Sequence, residues 1–207
     1  MKRLAILDLR FAILFSAKMK TTLVQNTNSP KNMSEDLSFP IGKYDRNQKI
    51  TFEQRKRFVN EVAELPNNLR EAVENLSDEQ IDSPYRPGGW TMRQIIHHVG
   101  DSHMNSFIRF KLALSEDNPT IRPYAEDLWA ETAEYKMPVD VSLDLIDSIH
   151  RRWTALLQSM SDADFARTLN HPETGLWTLE DLLGMYVWHG KHHAAHINNL
   201  KKRNDWD

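Results

Sequence analysis

The chain has 207 residues, with 26 lysines and arginines against 29 aspartates and glutamates, and a formal net charge of −3. This length supports one hydrophobic core and one domain, and mixed charge without a basic block gives no electrostatic basis for binding nucleic acid. Cysteine is absent, which excludes disulfides, thiolate metal sites and a cysteine nucleophile, so any thiol chemistry needs a thiol from outside the chain.

Residues 1–36 are predicted to form a poorly ordered leader ahead of one domain at 37–207. The leader begins with an apolar run like that of a secretory signal, but Asp8 and Arg10 interrupt it, and charge there is unfavourable in a membrane. The rest of the leader is rich in Thr, Asn, Ser and Lys, which bury little apolar surface. No stretch approaches the roughly 20 apolar residues of a membrane-spanning helix. We therefore expect a cytoplasmic protein with no membrane role.

Two long helices are predicted in the first half of the domain. Apolar residues recur every three or four positions from 58 to 76, which predicts a helix with one buried face. Pro66 lies inside this stripe and is expected to kink or divide the helix. After a loop rich in proline and glycine, Thr91 and Gln94 form a capping box that predicts the start of a second helix, which runs to about Leu114.

Two further helices follow a polar, proline-containing connection at residues 115–141. Apolar residues recur at helical spacing from 143 to 160, and a second stripe runs from 182 to 200 after a cap at Thr178. No segment shows the alternation that predicts a strand. Four long helices with one long crossover predict an all-α four-helix bundle, in which sites are built from side chains of facing helices.

The two halves of the domain also echo each other. The shared elements are SD at 77–78 and 161–162, and WT at 90–91 and 177–178, each followed by a pair of apolar residues. This echo predicts two related helical hairpins. Corresponding residues of the two hairpins would then lie at the same level of the bundle.

The last predicted helix carries two histidines on its inward face. His189 and His193 are four residues apart, which places both imidazoles on one side of the helix. An inward imidazole without a partner costs about 1–3 kcal/mol, and metal coordination would remove that cost. A solvated histidine-rich face is the alternative that this pair alone leaves open.

A third nitrogen is available on the second helix. His98 lies eight residues after Trp90, at the level of the pair if the hairpins are related, whereas His97 points about 100° away. Three histidines leave coordination positions open, so that a bound water or thiol can be deprotonated near neutral pH. Asp101, one turn further on, is predicted to accept a hydrogen bond that orients a ligand ring.

The sequence pattern assigns less definite roles to the remaining histidines. His196 lies three residues after His193 on the inward side, where it could be a fourth ligand, a proton shuttle or a core histidine. His103 and His192 are interpreted as surface or structural residues. His150 has no partner that the sequence pattern reveals.

Several motifs resemble the YfiT branch of the DinB-like proteins. In chain order they are FPIG at 39–42, YRPGGWTMRQIIHHVGDSH at 85–103, NSFIRFK at 105–111, IRPY at 121–124 and YVWHGKHHAAHI at 186–197. The resemblance covers about residues 37–206. It implies a four-helix bundle that forms a homodimer and holds one divalent metal per subunit, Zn²⁺ or Ni²⁺, on three histidines. By motif position these are His98, His189 and His193.

The resemblance implies an enzyme with a small-molecule substrate but leaves its chemistry open. Family members are regarded as metal-dependent hydrolases, while close relatives transfer low-molecular-weight thiols such as bacillithiol onto electrophiles. Both activities use a nucleophile activated by the metal, so the three histidines do not choose between water and thiol. A non-catalytic metal-binding module is a further alternative, in which His196 or a carboxylate would close the fourth coordination position.

Overall fold

The computed structural model describes residues 37–206, so the leader predicted at 1–36 lies outside the described residues. None of the helices between residues 37 and 206 combines the length and the apolar character of a membrane-spanning segment. The elements in order are α1 (Phe52–Val73), α2 (Asp78–Ile81), α3 (Met92–Ser115), α4 (Glu126–Trp129), a 3₁₀ turn (Ala133–Lys136), α5 (Val139–Ser159), α6 (Asp162–Phe165), β1 (Thr168–His171), β2 (Gly175–Thr178) and α7 (Leu179–Arg203). The predicted set of long helices is confirmed.

Polar side chains cap the start of three of the four long helices, α1, α3 and α7. The hydroxyls of Thr51 and Thr91 each accept a hydrogen bond from a backbone N–H three residues further on. The side-chain oxygens of Gln54 and Gln94 in turn accept a hydrogen bond from the backbone N–H of the cap threonine. The hydroxyl of Thr178 caps α7 in a similar way. These bonds satisfy backbone donors that the first turn of a helix leaves unpaired.

The four long helices form a bundle in which α5 and α7 each pack against both α1 and α3. The long crossover predicted between the second and third helices joins α3 to α5. Pro66 lies inside α1, which continues through it as one helix, so the predicted division does not occur. Since α7 packs on α3, side chains on their facing sides can meet inside the bundle.

A layer of histidines lies between two apolar clusters that fill the bundle. One cluster includes Phe110 and Trp153, and the other includes Ile96 and residues near the far end of α7. Along α7, the first cluster ends at Val187 and the second resumes at Ile197, with buried histidines between them. Apolar side chains therefore shield the histidine layer on both sides.

A two-stranded hairpin precedes α7, which the sequence pattern did not predict. β1 and β2 pair antiparallel, with buried Leu169 opposite buried Trp177. The N–H of Asn170 donates to the carbonyl of Pro119, and the N–H of Ile121 donates to the carbonyl of Asn170. The hairpin thus fastens the crossover to the start of α7. Each strand has only four residues, too few for a clear alternating pattern.

Candidate metal centre

Three histidine nitrogens from two helices meet between the apolar clusters. Nε2 of His189 lies 3.2 Å from Nε2 of His98 on α3, and 3.2 Å from Nε2 of His193 one turn further along α7. The exposed fractions of His98, His189 and His193 are 3%, 0% and 5%. The structure therefore brings together the three residues that the sequence predicts as metal ligands, and each is buried.

This set of donors suits a divalent transition metal. An ion bound by each nitrogen at roughly 2.0–2.1 Å with near-tetrahedral angles holds neighbouring nitrogens roughly 3.3 Å apart. The two Nε2 separations of 3.2 Å are close to that value. Neutral imidazole is a ligand for zinc, nickel, copper and iron alike. The residues fit a metal, and their chemistry alone does not select which one.

Burial keeps the three imidazoles in the form that binds metal. Desolvation, followed by the neighbouring histidine His192, lowers the pKa of His98 to about 3. Desolvation also lowers the pKa of His189 and of His193 well below the usual value, and the other histidines add to the effect. Metal binding requires neutral imidazole, so at neutral pH no proton has to be removed from these rings first.

Gly190 sets how closely α7 approaches α1 beside the site. A Cβ on Gly190 would lie 2.4 Å from Cδ2 of Leu65 on α1. Leu65 is itself buried, and its side chain would have to turn away from the new Cβ. Glycine therefore lets α1 pack directly against the turn of α7 that carries His189.

His97 faces away from the three nitrogens, as its predicted rotation on the helix requires. Its Nδ1 lies 2.7 Å from Oγ of Ser142 on α5, and its Nε2 lies 3.0 Å from the carbonyl oxygen of Met137. Both ring nitrogens are thus engaged outside the cluster. Of the two adjacent histidines, only His98 reaches the candidate ligands.

Asp101 lies against a tyrosine. The hydroxyl of Tyr135 donates a 2.7 Å hydrogen bond to Oδ2 of Asp101, and burial raises the pKa of this carboxyl group. Among the described residues, none hydrogen-bonds to Nδ1 of His98. The orienting role of Asp101 stays a prediction, since the structure gives its side chain a different partner.

Comparisons with known proteins agree with this geometry. Residues 61–197 match the model of the DinB superfamily. The chain belongs to the DinB superfamily. It is also similar to a solved structure of YfiT from Bacillus subtilis, with a TM-score of 0.81 and 48% sequence identity over 83% of this chain and 99% of that one. That protein is described as "a probable metal-dependent hydrolase with an unusual four-helix bundle topology".

Two relatives of this DinB-superfamily chain come from other Bacillus species. Proteins of Bacillus cereus (strain B4264) and of Bacillus thuringiensis subsp. konkukian (strain 97-27) are each 53% identical to it over 171 residues. The match covers 83% of this chain and 99% of each relative. Both are named "putative metal-dependent hydrolase". The predicted family resemblance is confirmed.

Two further histidines lie behind one candidate ligand of this DinB-superfamily protein: His103, which the sequence predicts to be a surface or structural residue, contacts His189, and His150 contacts His103. Nε2 of His103 lies 3.1 Å from Nδ1 of His189, and Nδ1 of His103 lies 2.9 Å from Nε2 of His150 on α5. Both residues are buried. The sequence held one signal for them, because each lies on the apolar stripe of its helix, where an imidazole needs a polar partner.

His192 and His196 form a second buried pair. Their Nε2 atoms lie 2.9 Å apart, and the ring of His196 packs 3.9 Å from the ring of Tyr85. Among residues 37–206, the nitrogen atoms that lie close enough together to share one ion belong to the three candidate ligands, and His196 does not contribute one. The fourth-ligand interpretation of His196 therefore has no contact that supports it.

Aromatic residues flank the cluster. The ring of Trp90 lies 4.6 Å from the ring of His98, and the ring of Tyr186 lies 5.8 Å from that of His189. Trp153, which contacts His103, is fully buried in the core. The DinB-superfamily bundle thus holds its imidazoles between large rings, which exclude water and limit ring rotation.

Proposed function

We propose that the protein is a metal-dependent hydrolase that binds one divalent ion through Nε2 of His98, His189 and His193. The observation that carries this proposal is the convergence of three buried, neutral imidazoles with Nε2 separations of 3.2 Å. The names of the Bacillus relatives support the same class of activity. Zn²⁺ is the proposed ion, with Ni²⁺ as the alternative, because imidazole suits both.

The protein residues divide the task between binding and shielding. A divalent ion with three protein ligands and an open position supplies Lewis-acid activation, which lowers the pKa of a water or thiol that binds it. The three histidines hold their nitrogens ready, since burial keeps them unprotonated. The apolar clusters on either side exclude bulk water, and a low local dielectric strengthens charge interactions at the site.

Thiol transfer is a second candidate, favoured by one feature of the chain. Cysteine is absent, so no protein thiol competes with an external thiol for an open metal position. The proposed cosubstrate is a small low-molecular-weight thiol, and the proposed second substrate is a small electrophile. A non-catalytic module is less well supported, because no described carboxylate or further histidine joins the three nitrogens.

Activity assays with defined metal content test these proposals. The Zn²⁺-loaded, Ni²⁺-loaded and metal-free proteins would each be assayed with ester and amide substrates, and then with a panel of thiols and a generic electrophile. Hydrolysis predicts product without thiol, and transfer predicts product only with thiol, and in both cases a chelator removes the activity. Tight metal binding with neither activity would contradict the enzyme proposal.

A matched pair of variants assigns the activity to the site. His98→Ala is expected to abolish it, because one of three ligands is lost, while His97→Ala keeps it. Equal activity of both variants would contradict the assignment. We also propose a homodimer on the basis of the family resemblance, which sedimentation analysis of the purified protein tests.

A further inference from the structure

A line of hydrogen-bonded imidazoles connects α1 to the candidate metal centre. It starts at the carbonyl oxygen of Val62, which lies 2.5 Å from Nδ1 of His150. Nε2 of His150 lies 2.9 Å from Nδ1 of His103, and Nε2 of His103 lies 3.1 Å from Nδ1 of His189. Nε2 of His189 is the nitrogen shared by the two 3.2 Å contacts of the centre.

Pro66 explains why the line can start at Val62. In an α-helix, the N–H of residue 66 would bond to the carbonyl of residue 62, but proline has no N–H. The carbonyl of Val62 is therefore without its usual helical donor although α1 continues through Pro66. His150 supplies the missing donor from α5.

The line fixes the proton positions of three rings in turn. A carbonyl oxygen only accepts, so Nδ1 of His150 carries the proton, and in the neutral ring Nε2 is then an acceptor. By the same argument, Nδ1 of His103 donates to His150 and Nδ1 of His189 donates to His103. Nε2 of His189 is left with a free lone pair, which is the form that a metal ligand needs.

Packing holds these rings in the orientations that the line requires. The rings of His103 and His150 stack with centroids 5.0 Å apart, and Trp153 and Tyr186 meet His103 edge-on at 5.9 and 5.3 Å. His103 and His150 are each 1% exposed. Burial lowers the pKa of His150 to about 4, so the ring is neutral at neutral pH.

The other two candidate ligands lack such support. Nδ1 of His98 and Nδ1 of His193 have no hydrogen-bond partner among residues 37–206. Only His189 is oriented by the protein through its second nitrogen. It is also the ligand whose Nε2 lies in contact with both others, so its orientation sets the geometry of the whole centre.

We propose that His103 and His150 are positioning residues that hold His189 with its proton on Nδ1, so that Nε2 is presented to the metal. This inference rests on the proposed metal site, and it adds residues that act through a ligand without touching the ion. A role in packing alone is the competing explanation. The two explanations differ in whether an acceptor at position 103 matters.

Two substitutions at one position separate these explanations. His103→Gln keeps an acceptor near the site of Nε2, whereas His103→Leu fills a similar volume without one. Zn²⁺ affinity would be measured for each by competition with a chromophoric chelator. Loss of an outer hydrogen-bond partner of a ligand typically weakens metal binding about 10- to 100-fold, which we expect for His103→Leu, with most of the affinity restored in His103→Gln. His97→Leu is the matched control, a buried histidine of the same helix, and should bind like the wild type.

Equal losses in the Gln and Leu variants, or no loss in either, would overturn the proposal. A wild-type protein that binds neither Zn²⁺ nor Ni²⁺ would instead contradict the proposed function. If a variant fails to fold, the tautomers of the wild-type protein still test the inference. In the Zn²⁺-free wild type labelled with ¹⁵N-histidine, NMR should find the proton of His150, His103 and His189 on Nδ1. A proton on Nε2 of His189 would overturn the inference.

Discussion

α7 carries two histidine pairs with the same spacing and different surroundings. His189 and His193 are four residues apart with Nε2 atoms 3.2 Å apart, and His192 and His196 are four residues apart with Nε2 atoms 2.9 Å apart. All four side chains are buried. Spacing along the helix and burial therefore do not distinguish the two pairs.

The neighbouring elements make the difference. The first pair faces α3, from which His98 brings a third nitrogen. The second pair faces aromatic rings, with Trp188 stacked 4.6 Å from His192 and Tyr85 lying 3.9 Å from His196. A histidine pair on one helix thus becomes a candidate metal site only when a facing helix supplies the remaining ligand and polar contacts.

The largest effect expected from this contrast is on metal content. His98→Ala should reduce bound metal from about one equivalent per chain to less than about a tenth, because two imidazoles on one helix retain an ion poorly through purification. His196→Ala should keep about one equivalent, since the second pair takes no part. Elemental analysis of proteins expressed with zinc and nickel supplied measures both, and metal loss in the His196 variant alone would invert the comparison.

Acid should destabilise the metal-free protein. Burial lowers the pKa of His98 to about 3 and that of His150 to about 4. In the folded protein both rings therefore stay neutral at pH values where the same two residues of the unfolded chain are protonated. The stability that depends on neutral rings is therefore present above pH 6.5 and is lost as the pH falls toward 4. Each group contributes roughly 2 kcal/mol of loss between pH 6.5 and 5.

Urea unfolding at pH 7, 6 and 5 tests this sign and size. In His150→Leu, the number of protons taken up on unfolding near pH 5.5 should fall by about one, because one such group is gone. An unfolding free energy that is flat between pH 7 and 5 would contradict the buried, neutral histidines.

A smaller effect is expected at Gly190, which directly follows His189 on α7. Gly190→Ala should destabilise the fold by about 1–3 kcal/mol, because the new Cβ would lie 2.4 Å from Cδ2 of Leu65. Gly100→Ala on α3 is the control, since its Cβ would meet only ordinary contacts at 3.7 Å. That variant should gain about 0.5–1 kcal/mol from better helix propensity. Thermal unfolding compares the two, and a stable Gly190→Ala protein would mean that α1 and α7 are not held closely there.

The smallest expected effect is at the second pair itself. His196→Leu should lower the free energy of unfolding by about 1 kcal/mol, the net worth of one hydrogen bond, because the 2.9 Å contact with His192 is lost. Metal affinity should not change. If Zn²⁺ binding weakened more than tenfold while stability stayed constant, the second pair would belong to the site.

The sequence predicted which histidines cluster better than it predicted the residues that contact them. Helical spacing placed His189 and His193 on one face, and the family motif selected His98 over His97. The contacts of His103 and His150 depend on how three helices pack, which the pattern on any one helix cannot reveal. The same limit applies to the hairpin at 168–178, whose short strands carry little alternation.

X-ray absorption spectroscopy of the Zn²⁺-loaded protein measures the proposed coordination directly. An open three-histidine site should show three imidazole nitrogens at roughly 2.0–2.1 Å and one further light atom that does not come from the protein. Since the chain has no cysteine, a thiolate sulfur at roughly 2.3 Å after addition of a thiol would come from that thiol and show that the fourth position is open. Four protein ligands, or fewer than three imidazoles, would contradict an open three-histidine site.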